Sequence, residues 1–213
     1  MPIQTLIHTA LVAEAKPIIG HFGLTCKAKQ PYNLYENEHI ALIVSGMGSQ
    51  NAKEALAYAL SQYEPRVAIN IGIAGCSDTT VAKGTLFCTT HEGLDIPFAT
   101  CSSHENPIEG MRRSPNETLS LRRDEKAERF GAPVVSNRVE CATCGDASVE
   151  TTLVDMEADT FLQTVPKTIE TYVFKVVSDH LETTIPSKAD VGNWIGKSIK
   201  QWEKYVRRSK SAF

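Results

Sequence analysis

The chain lacks most of the features that would assign a protein to a special environment. No run of about eighteen apolar residues occurs, so nothing in it reads as a membrane span. No basic stretch precedes the first apolar segment after Met1-Pro2-Ile3-Gln4, which therefore reads as a first strand and not as a signal peptide. Neither sign of charge dominates: a formal net charge of −3 with 22% charged residues offers no electrostatic case for nucleic acid or an anionic membrane. Arg112-Arg113 and Arg122-Arg123 are the paired basic residues outside the C-terminal Arg207-Arg208 and Lys210, and they read as solvated faces.

Internal repeats and low-complexity segments are absent as well. The six cysteines (Cys26, Cys76, Cys88, Cys101, Cys141, Cys144) are scattered and give no disulfide framework. A chain of 213 residues buries roughly 70% of its unfolded surface and needs no covalent staple. Free thiols and a cytoplasmic setting are the expectation. Cys141-Ala-Thr-Cys144 has metal or redox spacing, but no second such pair and no His pair completes a zinc site, so no metal is predicted. No GxGxxG opens the first strand–helix junction, where Ala13-Glu14-Ala15 stands instead, which disfavours a dinucleotide fold.

What is present is an alternation of apolar runs and helical patterns. That pattern predicts one α/β domain over residues 1–213, a three-layer α/β/α arrangement around a mixed, mostly parallel twisted sheet. Thr5 to Ala13 reads as a buried strand, Glu14 to Phe22 as a helix with Pro17 in its first turn, and Leu34-Tyr35 with His39 to Val44 as a hairpin around Asn37-Glu38. Gln50 to Tyr63 has the clearest amphipathic helical spacing, and Val67 to Ile73 reads as a central strand. Thr85 to Thr90, Ile96 to Cys101 and Ala132 to Ser136 are strand-like. Ser103 to Asn116 reads as a long loop and Leu119 to Phe130 as a helix. Ala158 to Val165 and Val191 to Val206 are helical, the latter carrying a stripe from Val191 through Trp194 and Ile199 to Val206; Thr171 to Val177 is a β-branched strand.

Four motifs fall at predicted strand ends, where open α/β sheets bind ligands. Ser45-Gly46-Met47-Gly48 and Asn70-Ile71-Gly72-Ile73-Ala74-Gly75 are glycine turns; each alone is compatible with an ordinary tight turn, and each also lets backbone N–H groups approach a ligand. Val154-Asp155-Met156-Glu157-Ala158 and Val176-Val177-Ser178-Asp179 bring carboxylates to the same rim. Taken singly, Glu157 reads equally as an acid at a helix start and Asp179 as a cap or turn residue. His8 reads as a satisfied core residue, and His180, beside Asp179, as the histidine best placed to matter.

In this order the motifs, together with Ala13-Glu14-Ala15, resemble the purine nucleoside phosphorylase and nucleosidase superfamily. The likeness is greatest to the methylthioadenosine/S-adenosylhomocysteine nucleosidases and futalosine hydrolases, and it spans Glu14 to Asp179. The resemblance implies a nucleosidase acting on a purine or modified nucleoside. Asp179 would be the acid that protonates the base, positioned by Ser178, and Glu157 the binder of the ribose hydroxyls, with Met156 against the sugar. Gly46, Met47, Gly48, Ala74 and Gly75 would line the pocket. Glu14 would activate water. Asn70 stands where the related phosphorylases carry a phosphate-binding arginine, which favours hydrolysis over phosphorolysis. A phosphorylase, or a catalytically weak nucleoside-binding module, is the alternative. The resemblance also implies a homo-oligomer and no cofactor. Members of that family use backbone groups and an aromatic residue for the base shortly after a strand corresponding to about Pro133 to Ser136, where this sequence has Ser136-Asn137-Arg138-Val139-Glu140 and no aromatic.

Overall fold

The computed structural model of the protein describes residues 3–104, 151–182 and 185–206. The predicted helix 119–130, the strand 132–136, the Cys141/Cys144 pair, the paired arginines and the base-recognition segment near residue 136 lie outside the described residues. In chain order the elements are β1 (Thr5–Thr9), α1 (Val12–Phe22), β2 (Thr25–Ala28), β3 (Asn33–Glu36), β4 (Ile40–Val44), α2 (Ser49–Gln62) and β5 (Val67–Cys76). They continue with β6 (Leu86–Cys88), β7 (Thr100–Ser103), β8 (Thr152–Asp155), α3 (Ala158–Thr164), β9 (Glu170–Asp179) and α4 (Lys188–Val206).

The centre of the sheet is parallel, in the order β4-β1-β5-β9. These strands are rich in Ile, Val, Leu and Ala and buried along nearly their whole length, as strands covered on both faces must be. Antiparallel strands flank them: β2 and β3 beyond β4, β6 on β9, and β8 on the far end of β5. Helices α1 and α4 cover one face, with Ile7, Ile18, Ile69, Phe174, Ile195 and Trp202 between them and the sheet. Helices α2 and α3 cover the other over Leu6, Ile43, Leu56, Ala68, Phe161 and Val173. The result is the three-layer α/β/α sandwich expected of the sequence.

Several boundaries differ for local reasons. The first strand ends at Thr9 and the helix starts at Val12, because the Glu14 carboxylate accepts the amides of Ala10 and Leu11 (3.0 and 2.8 Å) and turns the chain there. Pro17 therefore sits inside α1, beyond its first turn. Glycines of α4 make room for this stretch: a Cβ on Gly196 would lie 3.4 Å from the Pro17 ring, and one on Gly192 3.5 Å from the Ala13 carbonyl. Helix α4 starts at Lys188, three residues before the apolar stripe, because the Ser187 hydroxyl accepts the Asp190 amide at 3.1 Å as an N-cap. Trp194, on that stripe, packs half-buried against the same core and beside Gly84. Strand β2 carries no alternating pattern that would mark it in the sequence; it is an exposed edge. The strand expected over residues 96–101 is displaced to Thr100–Ser103, so Ser103 ends β7 and does not open a loop.

Candidate active site

On the face covered by α2 and α3, the apolar layer gives way to polar residues within one step toward the carboxyl ends of the strands. Leu6, Ile43, Ala68 and Val173 belong to the core; two residues further along the same face stand His8, Ser45, Asn70 and Lys175, all buried. Polar groups in such a position must find partners or carry a large desolvation cost. Nearly every one finds a partner.

Lys175 lies in β9, paired in register with Gly72. Its ammonium meets Asp155 Oδ2 at 2.5 Å, and both side chains are 1% exposed. The other Asp155 oxygen accepts the Ser103 hydroxyl at 2.5 Å, and Oδ2 also takes the Ala158 amide at 2.9 Å, which ties the ion pair to the start of α3. Burial would raise the Asp155 carboxyl, but the Lys175 ammonium and these hydrogen bonds outweigh it and hold the group below the ordinary carboxylate range. Lys175 is likewise disfavoured by burial and restored above the ordinary lysine value by Asp155. Among the described residues near the strand ends, this cation is already neutralised.

Glu14 is the second buried acid, 2% exposed. Beyond the amides of Ala10 and Leu11, its Oε1 accepts the Ile73 amide at 3.0 Å. That contact needs Gly72, where a Cβ would sit 3.1 Å from Glu14 Oε1 and 3.5 Å from Lys175 Nζ. Burial pushes the Glu14 carboxyl up to about 7, against the opposing pull of the Leu11 and Ile73 amides and of Lys175. A group so tuned exchanges a proton near neutral pH.

Glu157 precedes α3, and its Oε1 accepts the Gly48 amide at 2.7 Å. The glycine turn after β4 and the Met-Glu segment after β8 are thus joined across 109 residues of sequence. Gly46 and Gly48 have φ of 88° and 95°, which suits residues without a Cβ. Burial raises the Glu157 carboxyl, with the Lys175 ammonium and the Gly48 amide opposing.

Asp179 ends β9 just after a register shift, so that Ala74 pairs with Val177 but Gly75 with Asp179. The extra residue, Ser178, re-aims the strand end as bulges do. The Ser178 hydroxyl lies 2.6 Å from Asp179 Oδ2, and the Leu181 amide donates to Oδ1 at 2.9 Å. Leu181 holds a left-handed φ of 58°, a strained backbone for a branched residue, and this conformation turns its amide to the acid. Glu14 is anchored at Ile73 and Asp179 packs at Gly75, so the two anchoring points along β5 are about 7 Å apart.

Of the residues singled out in the sequence, Glu14, Glu157, Ser178, Asp179, Gly46, Gly48 and Gly75 converge on these strand ends. Ala74 directs its side chain into a small apolar cluster and presents its carbonyl to Ser178 at 3.2 Å. Met47 is 60% exposed and Met156 half-buried beside Glu157. His180 bonds the Val81 carbonyl at 2.9 Å, and the histidine that enters the polar layer is His8. Lys175 and Asp155 were not anticipated as a pair. The available signal was a lysine in the middle of the run Tyr172 to Val177, where a charge must be neutralised by a partner.

Among the described residues, no three His, Cys, Asp or Glu side chains are grouped to hold a metal ion, and no helix is long and apolar enough to cross a membrane. A cavity of about 590 Å³ lies at the opposite ends of β5 and β9, lined by Tyr63, Arg66, Pro166 and Glu170, and has no comparable concentration of buried acids.

Residues 7–170 match the family model of the phosphorylase superfamily. No curated protein sequence matches the chain significantly. Among solved structures, the chain is similar to a 5′-methylthioadenosine/S-adenosylhomocysteine nucleosidase of Helicobacter pylori, with a TM-score of 0.69 at 12% identity over 98% of this chain and 100% of that one. It is similar to the futalosine hydrolase of Helicobacter pylori, with a TM-score of 0.67 at 12% identity over 97% and 99%. It also resembles the Arabidopsis thaliana 5′-methylthioadenosine nucleosidase, with a TM-score of 0.66 at 15% identity over 99% and 98%.

Proposed function

Because the chain belongs to the phosphorylase superfamily, we propose that it cleaves the N-glycosidic bond of a purine or modified nucleoside with water as the nucleophile. The observation that carries the choice of water is the charge inventory at the strand ends. Asp155, Glu14 and Glu157 crowd around Lys175, and Lys175 is already paired with Asp155. Asn70, in the position of a phosphate-binding arginine, spends its amide on His8 at 2.7 Å. A phosphate dianion entering here would meet carboxylates and no spare cation among the described residues, whereas a neutral water meets no such repulsion.

In this reading Glu157 accepts hydrogen bonds from the ribose hydroxyls, fixed by the Gly48 amide, since one carboxylate matches a vicinal diol. Glu14, with its carboxyl near 7, accepts the proton of the attacking water. Asp179, oriented by Ser178 and the Leu181 amide, protonates the leaving base. Met156 lies against the sugar, and Met47 lines the pocket at the rim. Water gives one proton to Glu14 as its oxygen bonds to the anomeric carbon, the N-glycosidic bond breaks, and the base departs with the proton supplied by Asp179. No cofactor enters.

The similarity to enzymes named for methylthioadenosine, S-adenosylhomocysteine and futalosine makes those nucleosides, with adenosine and inosine, the first panel to assay. Each would be incubated with and without phosphate. Release of free base and free sugar without phosphate is the expected result; strict dependence on phosphate, with sugar phosphate as product, would refute the choice of nucleophile. Asp179→Asn should lower kcat on the order of 10²–10⁴-fold, the usual worth of a positioned acid.

A further inference from the structure

His8 is wholly buried and touches three elements at once. Its Nδ1 lies 2.7 Å from Asn70 Nδ2 on β5, its Nε2 lies 3.0 Å from Ser45 Oγ after β4, and its ring stacks on Phe161 of α3 at a centroid distance of 5.9 Å. The direction of the chain of hydrogen bonds follows from its far end. Ser45 Oγ lies 2.6 Å from the Gly46 carbonyl, an acceptor, so the one hydroxyl proton points there. Toward His8 the hydroxyl oxygen must then accept, which puts the imidazole proton on Nε2 and leaves Nδ1 bare to receive the Asn70 amide. That orientation turns Asn70 Oδ1 away from His8, and among the described residues this buried oxygen meets no hydrogen-bond partner.

We propose that His8 is a positioning residue: a neutral imidazole in one tautomer that carries order from Asn70 through Ser45 to the Gly46–Gly48 turn, and so fixes the Gly48 amide on Glu157. The consequence for ligand binding rests on the reading of Glu157 as the ribose carboxylate. The geometric part does not. Burial and the Lys175 ammonium hold the imidazole down to about 3, so the ring keeps its relay across the physiological range. The stack on Phe161 matters because Phe161 donates its amide to the Glu157 carbonyl at 2.9 Å. His8 thus braces both partners of the Gly48–Glu157 contact.

The test compares His8→Leu, Ser45→Ala and His8→Gln with the wild type. Gln keeps a donor for Ser45 where Leu does not. Hydrogen exchange at the Gly48 amide, which needs no ligand, should accelerate about tenfold in His8→Leu and Ser45→Ala, the size of one lost buried hydrogen bond, and stay within about threefold in His8→Gln. The imidazole ¹⁵N spectrum of the wild type at neutral pH should show a protonated Nε2 and a bare Nδ1. For 5′-methylthioadenosine, His8→Leu should raise KM about tenfold with kcat little changed, and His8→Gln should restore KM. The opposite tautomer, or unchanged Gly48 exchange in folded His8→Leu and Ser45→Ala, overturns the relay; Ser45→Ala serves if His8→Leu does not fold. Glu157→Gln, run alongside, separates the two ideas. If it leaves 5′-methylthioadenosine binding untouched while Gly48 exchange responds to His8, the relay stands and the ribose role of Glu157 fails.

Discussion

Glu14→Gln is the substitution in which structure, stability and activity make opposed predictions. In the fold the Glu14 carboxyl is raised from 4.5 to about 7, chiefly by burial. An acid that binds its proton more tightly when folded stabilises the protein at low pH, and that stability is lost as pH rises from the unfolded value through the folded one. The window is therefore pH 4.5 to about 7, and the loss across it is about 3 kcal/mol at about 1.4 kcal/mol per pH unit. Gln cannot ionise, so its contribution is flat. It does present an amide to one of the backbone N–H groups that Glu14 now accepts from Ala10, Leu11 and Ile73, a constant penalty of about 1–3 kcal/mol. The variant should therefore be less stable than wild type near pH 4.5 and close the gap, or overtake it, by pH 8. The assay is denaturant unfolding of both proteins at several pH values, read as the difference between them so that other titrations cancel. The activity profile moves the other way: wild-type kcat/KM rises with pH through about 7 as the base ionises, and Glu14→Gln is low throughout. Parallel stability curves across the window would refute the assigned burial of this carboxyl.

Removing the ammonium in Lys175→Met strands Asp155 in the interior and should destabilise the fold by about 3–5 kcal/mol, measured by denaturant unfolding; a double variant with Asp155→Leu should recover much of it. Gly75→Ala places a Cβ 2.6 Å from Leu181 Cδ2 and 3.1 Å from Asp179 Oδ1, so Leu181, whose amide orients the acid, must move and the carboxylate give by a few tenths of an ångström. Turnover should fall by about tenfold with a much smaller change in unfolding midpoint, because even small misplacements near the chemistry are costly. Gly72→Ala should move the Glu14 pH profile, since its Cβ would sit 3.1 Å from Glu14 Oε1; an unshifted profile would contradict the packing described.

The strand and helix pattern, the three-layer arrangement and the acids at the strand ends were legible in the linear chain because they depend on local rules. Apolar runs such as Val67 to Ile73 have to be buried on both faces, amphipathic spacing such as Gln50 to Tyr63 has to turn one side inward, and Gly46 and Gly48 permit a tight strand-to-helix turn. Edge strand β2 was not legible, since an exposed four-residue strand carries no burial pattern. Neither was the start of α1, which a side-chain carboxylate decides.

Asp155 and Glu157 were visible as a rim motif from the start, but not which of them would be neutralised. That was decided by β9 lying in register beside β5, which brings Lys175 opposite Gly72 and into contact with Asp155. His8 read as a core residue, and it is one; its role depends on Asn70 and Ser45, brought to it by parallel pairing of β1 with β5 and β4. The proton affinity of Glu14 likewise belongs to no local pattern. The sequence by itself determined which residues carry charge and at which strand ends they emerge. Only the tertiary structure decided which charges cancel, because burial and distances between strands, not order along the chain, set those energies.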